Sequence, residues 1–116
     1  MRIVIVEDEK PAADQLENLL KRYDPDIEVL QRLDSVKGSI SWFQKHGAEP
    51  DLVFMDIRLA DGMSFEIFKQ VKINKPVIFI TAYNEYALEA FKVNSIDYLL
   101  KPISYDDVYK SLLTSD

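Results

Sequence analysis

Five short apolar runs recur along the chain, each closed by polar residues, and stretches with apolar residues at helical spacing lie between them. The central run is Asp51-Leu52-Val53-Phe54-Met55-Asp56. A short apolar run bounded by polar turn residues reads as a strand buried on both faces. In open α/β folds such a strand delivers the residue at its carboxyl end to the sheet edge where ligands bind. Here that residue is Asp56, and a carboxylate there can serve as the nucleophile that accepts a phosphoryl group.

Arg2 to Val6 is short, β-branched and apolar, and Glu7-Asp8-Glu9 ends it. Pro11 suits a first helical turn, where its missing N–H costs nothing. Leu16, Leu19, Leu20 and Tyr23 continue that helix along one face. After a break at Asp24-Pro25-Asp26, Ile27 to Leu33 alternates as an edge strand does. Ser35 is placed to cap a helix to about His46, with Val36, Ile40 and Phe43 inward and Gly47 as its stop. Asp61-Gly62 predicts a turn, and Phe65, Ile67, Phe68 and Val71 predict a third helix, broken at Lys75-Pro76. Val77 to Thr81 is another buried strand. Asn84 is positioned to cap a helix through Phe91, and Ile96 to Leu100 is the fifth strand. Ser104 with Asp107 resembles a capping box for a last helix carrying Tyr105, Val108, Leu112 and Leu113. Strands alternating with helices imply right-handed βαβ crossovers and one parallel sheet.

The 116 residues fit a single domain, residues 1–116. A hydrophobic content of 47% supports a real core and excludes a disordered segment. No apolar stretch approaches the ~20 residues of a membrane span. The apolar run at Arg2–Val6 is too short for a signal peptide, and acids follow it where small residues belong. The chain has no cysteine, which excludes disulfides and thiol chemistry and makes a cytoplasmic location the simplest reading. A net charge of −6 argues against a nucleic-acid-binding surface, which needs a basic stripe, and is compatible with an acidic pocket for a divalent cation.

Polar residues interrupt the apolar strands at matching places. Glu7 and Asp8 end the first, Asp56 the third and Thr81 the fourth, and Lys101 follows the fifth. In a parallel sheet these ends share one edge. Singly, each has an ordinary reading: a strand-end Asp caps a turn, a Thr follows β-propensity, and a Lys before Pro sits in a solvated loop. Together they form a chemical set. Clustered acids repel one another, and Mg²⁺, which takes oxygen ligands, resolves that repulsion. The metal would neutralise incoming phosphoryl oxygens, while Lys101 and Thr81 would contact the phosphoryl group.

These residues carry a resemblance. Ile3-Val4-Ile5-Val6-Glu7-Asp8-Glu9, Leu52-Val53-Phe54-Met55-Asp56-Ile57, Phe79-Ile80-Thr81-Ala82 and Tyr98-Leu99-Leu100-Lys101-Pro102 look like the receiver domain of bacterial two-component response regulators. The resemblance spans essentially the whole chain. It implies a flavodoxin-like (βα)5 fold, doubly wound, with a five-stranded parallel sheet in the order 2-1-3-4-5. It implies that Glu7 and Asp8 are the acidic pair for Mg²⁺, that Asp56 is phosphoacceptor and metal ligand, and that the backbone carbonyl of Arg58 is a further ligand. Thr81 and Lys101 would contact the phosphoryl group, and the Lys101-Pro102 bond would be cis. Tyr98 would be the aromatic switch that responds with Thr81, coupling Asp56 to the surface of the fourth helix, fifth strand and fifth helix.

The stretch from Thr81 to Phe91, with Asp97-Tyr98-Leu99-Leu100-Lys101-Pro102, is similar to receivers joined to LytTR-type (LytR/AgrA-like) DNA-binding domains. The implied partners are a sensor histidine kinase, a second copy on phosphorylation, and DNA only through a C-terminal output domain absent from this chain. The chain would be an excised or a stand-alone receiver, a phosphoacceptor that catalyses its own phosphorylation and dephosphorylation. At Leu59-Ala60-Asp61-Gly62 it lacks the proline that many receivers carry, which concerns the shape of that loop. Arg58 and Tyr83 would flank the pocket and govern water access. An Mg²⁺-dependent hydrolase with Asp56 as nucleophile is an alternative, but it would want an acid two residues on, where Arg58 stands. A protein-binding scaffold is a further alternative, disfavoured by the intact Glu7, Asp8, Asp56, Thr81 and Lys101 set.

Overall fold

The computed structural model describes residues 1–93 and 95–115. Five strands form one parallel sheet: β1 (Arg2–Val6), β2 (Glu28–Leu33), β3 (Leu52–Met55), β6 (Val77–Thr81) and β7 (Asp97–Leu100). Their order, β2-β1-β3-β6-β7, is the expected 2-1-3-4-5 arrangement once two short strands are set apart. Those two, β4 (Arg58–Leu59) and β5 (Gly62–Met63), make a small antiparallel hairpin. The helices are α1 (Lys10–Tyr23), α2 (Val36–His46), α3 (Phe65–Gln70), α4 (Ala87–Lys92) and α5 (Tyr105–Thr114).

Side chains on successive strand residues point to opposite faces, so each central strand feeds two cores. Ile3, Ile5, Phe54, Ile78 and Ile80 meet Leu16 and Leu20 of α1 and Val108 and Leu112 of α5. Val4, Val6, Val53, Met55 and Phe79 meet Val36 and Phe43 of α2, Ile67 of α3 and Ala90 of α4. Burial on both faces is why β1, β3 and β6 read as unbroken apolar runs. The edge strand β2 alternates less cleanly, because its register with β1 shifts between Ile3 and Val4.

The helix ends follow their local chemistry. Pro11 lies in the first turn of α1. The Ser35 side chain accepts from the Gly38 N–H at 2.9 Å. Ser104 and Asp107 close a full capping box on α5, with both hydrogen bonds present. Gly47 does end α2, but with right-handed backbone at φ −60° rather than the left-handed stop typical of glycine. Its reason is space, since a Cβ there would lie 2.6 Å from the Phe43 carbonyl oxygen.

Two expectations need correction and a third gains detail. α3 ends at Gln70, before Val71 and well before Lys75-Pro76, because Val71 is already extended while its side chain still reaches the core. Asn84 does not cap a helix: it opens a 3-10 turn, Asn84–Tyr86, and α4 begins only at Ala87. A 3-10 turn commonly leads into a helix, and here it comes with Tyr86 packed against Phe65 at 6.4 Å. The expected turn at Asp61-Gly62 is present as the connection of the β4–β5 hairpin: Ala60 and Asp61 make its tip, and Gly62 opens β5 at φ +145°, a conformation that suits glycine.

Asp61 ties that hairpin to α2. Its carboxylate accepts from the Val36 N–H at 2.7 Å and the Lys37 N–H at 3.1 Å. These bonds hold the Asp61 carboxyl below its ordinary pKa. A depressed folded-state pKa contributes stability that is present above the unfolded value of about 3.9 and is lost as pH falls through the folded value. Asp61→Ala should therefore cost about 1 kcal/mol near pH 7, the size of a lost helix cap at an exposed position. Urea midpoints of the two proteins should converge as the pH is taken progressively below about 4.

Candidate functional site

The strand ends are fixed by backbone hydrogen bonds that run on past the strands. Glu7 N–H donates to the Leu33 carbonyl, Asp56 N–H to the Val6 carbonyl and Lys101 N–H to the Thr81 carbonyl, each at 2.8 Å. Residues far apart in sequence are thus held side by side at one edge of the sheet.

Lys101 Nζ donates to Glu7 Oε1 at 2.6 Å and to Asp56 Oδ2 at 2.9 Å. Asp56 is 7% exposed and Glu7 9%. The Glu7 side chain also accepts from the Glu9 N–H at 3.1 Å, and Asp56 Oδ1 accepts from the Arg58 N–H at 3.4 Å. Glu7, Asp8 and Asp56 each offer one carboxylate oxygen, and these lie within 4.8 Å of one another. Three carboxylates face one ammonium, so the cluster is short of positive charge. Burial, reinforced by the Asp56 charge and opposed by Lys101, pushes the Glu7 carboxyl up to about 7. Burial also works against the charge on Lys101, but the hydrogen bonds it donates to Glu7 and Asp56 outweigh it and raise the Lys101 pKa. The oxygen-only donor set is the chemistry a hard divalent cation such as Mg²⁺ takes.

Thr81 is fully buried at the end of β6, and its hydroxyl accepts from the Tyr83 N–H at 3.3 Å. Among the described residues no hydrogen bond joins Thr81 to Asp56. Arg58 opens β4, and its guanidinium lies 4.5 Å from the centre of the Tyr83 ring, a cation–π contact. The half-buried Tyr98 donates its hydroxyl to the Tyr83 carbonyl. Burial raises its pKa, aided by Glu85 and Glu89 and opposed by a backbone hydrogen bond with Tyr86. The Lys101-Pro102 bond is cis.

Of the residues singled out in the sequence, Lys101 meets Glu7 and Asp56 directly, and Asp8 clusters with these two acids, their oxygens within 4.8 Å of one another. Thr81 and Tyr98 instead meet the Tyr83 backbone, and Arg58 meets the Tyr83 ring. Tyr83 is therefore the hub of the rim, a role its sequence position does not announce. All three contacts depend on the course of two loops, which no periodicity encodes.

The family model for the response regulator receiver domain matches residues 3–113. Sensory transduction protein LytT of Bacillus anthracis is 36% identical over 115 residues, covering 97% of this chain and 46% of that protein. Transcriptional regulatory protein BtsR of Salmonella typhi is 34% identical over 114 residues, covering 97% and 46% respectively. The chain thus spans about half the length of the curated relatives it matches. Among solved structures, the response regulatory domain of protein mrkE from Klebsiella pneumoniae is similar with a TM-score of 0.81 at 29% identity, over 97% of this chain and 93% of that one. A two-component response regulator from Clostridium difficile shares the fold, with a TM-score of 0.83 at 23% identity over 99% and 94%.

Removing the shared cation leaves Glu7 and Asp56 facing each other with little water. Lys101→Met should destabilise the metal-free protein by roughly 2–3 kcal/mol. That is less than for a fully buried pair because the Lys101 side chain is 22% exposed. Chemical denaturation at pH 8 measures the loss, and an unchanged midpoint would show that the ion pairs contribute nothing.

Proposed function

The chain belongs to the response regulator receiver domain family, and on that premise we propose that Asp56 accepts a phosphoryl group from the phosphohistidine of a sensor histidine kinase or from a small acyl phosphate. The observation that carries this reading is the meeting of Asp56 with Glu7, Asp8 and Lys101 at the strand-end edge. An Asp56 carboxylate oxygen attacks the phosphorus, a P–O bond forms, and the bond to the donor nitrogen or acyl oxygen breaks with its electron pair leaving on the donor. Glu7, Asp8 and Asp56, with the Arg58 carbonyl, would hold Mg²⁺, whose charge offsets that of the phosphoryl oxygens. Lys101 then exchanges a carboxylate partner for a phosphoryl oxygen, keeping its charge paired throughout.

The product is read by Thr81 and Tyr98. The Thr81 hydroxyl already accepts from the Tyr83 N–H, which leaves its own proton free to donate to a phosphoryl oxygen. Tyr98 holds the carbonyl of the same residue. A shift of Thr81 toward Asp56 pulls on Tyr83 and loosens Tyr98, biasing the surface of α4, β7 and α5. The Arg58–Tyr83 stack stands at the rim and limits water reaching the acyl phosphate. A hydrolase reading is not favoured: position 58 offers a guanidinium stacked on a ring, which cannot act as acid or base.

In the whole protein this receiver would control a LytTR-type DNA-binding output in the cytoplasm, dimerising on phosphorylation and touching DNA only through that second domain. Its likeness to LytT proteins supports this. Among the described residues no helix is long and apolar enough to cross a membrane.

Incubation with Mg²⁺ and acetyl phosphate, followed by mass spectrometry, should find one phosphoryl group, on Asp56. Asp56→Asn should abolish it, and labelling elsewhere would sink the assignment. Tyr98→Ala should keep labelling within about threefold of wild type, a change in barrier under ~1 kcal/mol, yet lose phosphorylation-dependent dimerisation in sedimentation. Dimerisation that survives the substitution would remove Tyr98 from the switch.

A further inference from the structure

Beneath the acidic cluster, on the α1/α5 side of the sheet, lies a cavity of about 290 Å³. Its walls are apolar: Ile5, Leu16, Phe54, Ile80 and Ile103 line it and belong to the core on that face. At one end are Glu7, Asp56 and Lys101, and exposed Gln15 and Pro102 mark its opening to solvent.

We infer that this cavity is a binding site for a small aromatic ammonium, with the ring among the apolar walls and the amine at Glu7 and Asp56. Size is the first reason. An apolar cavity of about 150 Å³ stays dry and takes benzene, and this one is nearly twice as large, enough for a ring with a short arm. Its apolar walls offer water few partners, so the space favours carbon.

Charge is the second reason. Lys101 occupies Glu7 Oε1 and Asp56 Oδ2. Among the described residues the other two oxygens receive only backbone N–H groups, from Glu9 at 3.1 Å and Arg58 at 3.4 Å. Each carboxylate oxygen has two lone-pair sites, so acceptor capacity remains for a second ammonium. An anion would meet two carboxylates, Glu7 and Asp56, for one lysine and is rejected, and a neutral ring forgoes the ionic contact. The occupant lies beside the Lys101 side chain and Asp56.

This inference stands apart from phosphoryl transfer, because binding is read without any phosphoryl donor. The probes are tryptamine, indole and indole-3-acetate, titrated into ¹⁵N-labelled protein. Tryptamine should give saturable amide shifts in α1 and at Lys101 and Ile103. Indole should bind at least threefold more weakly, and indole-3-acetate should not bind. Ala12 and Ile103 line the cavity, so Ala12→Leu and Ile103→Phe, each confirmed folded by its amide spectrum, should weaken tryptamine at least tenfold. Should either variant fail to fold, the other variant and the ranking of the three probes still decide. Absence of saturable shifts, indole or indole-3-acetate binding as tightly as tryptamine, or undiminished affinity in a folded filled variant overturns the inference.

Discussion

The ammonium of Lys101 shared between Glu7 and Asp56 is the contact on which the rest depends. It spans 94 residues to one partner and 45 to the other. It exists because β1 and β3 lie at the centre of the sheet and β7 at its far edge, all ending on one side. Any slip of register by one residue would turn an acid from the rim into the core. The pairing is also incomplete, since Lys101 serves two of three clustered acids and Asp8 stands beside them. A site left short of positive charge is held together by the fold and waits for charge from outside.

Much of this was legible in the sequence, for physical reasons. Leu52–Met55 and Val77–Thr81 are buried on both faces, so their composition carries the assignment without help from periodicity. Ser104 and Asp107 form a cap whose two bonds lie within one turn, so three residues of spacing suffice to see it. Parallel strand ends turn the order of residues into proximity, which is how Glu7, Asp8, Asp56 and Lys101 could be brought together before any coordinates.

What stayed hidden depends on loops. The two-residue strands β4 and β5 are too short to show alternation, and only Gly62 hints at them. Val71 is apolar at helical spacing, yet it reaches the core from an extended backbone. Tyr83 contributes its N–H, its carbonyl and its ring to three different partners, two through atoms common to every residue. A pattern of side-chain types cannot reveal contacts made by the backbone.

The double anchor of the hairpin has a consequence for how the two banks of the site respond to load. The bank after β3 is fastened by the Ser64 N–H on the Ile57 carbonyl at 2.7 Å and by Asp61 on the start of α2. The opposite bank, after β6, rests on a 3-10 turn with no buried residue and a six-residue helix that buries only Ala90. Phe91 there is 77% exposed. Segments with so little burial are the first to yield. One bank of the site is thus firmly fastened, and the other is the more loosely packed.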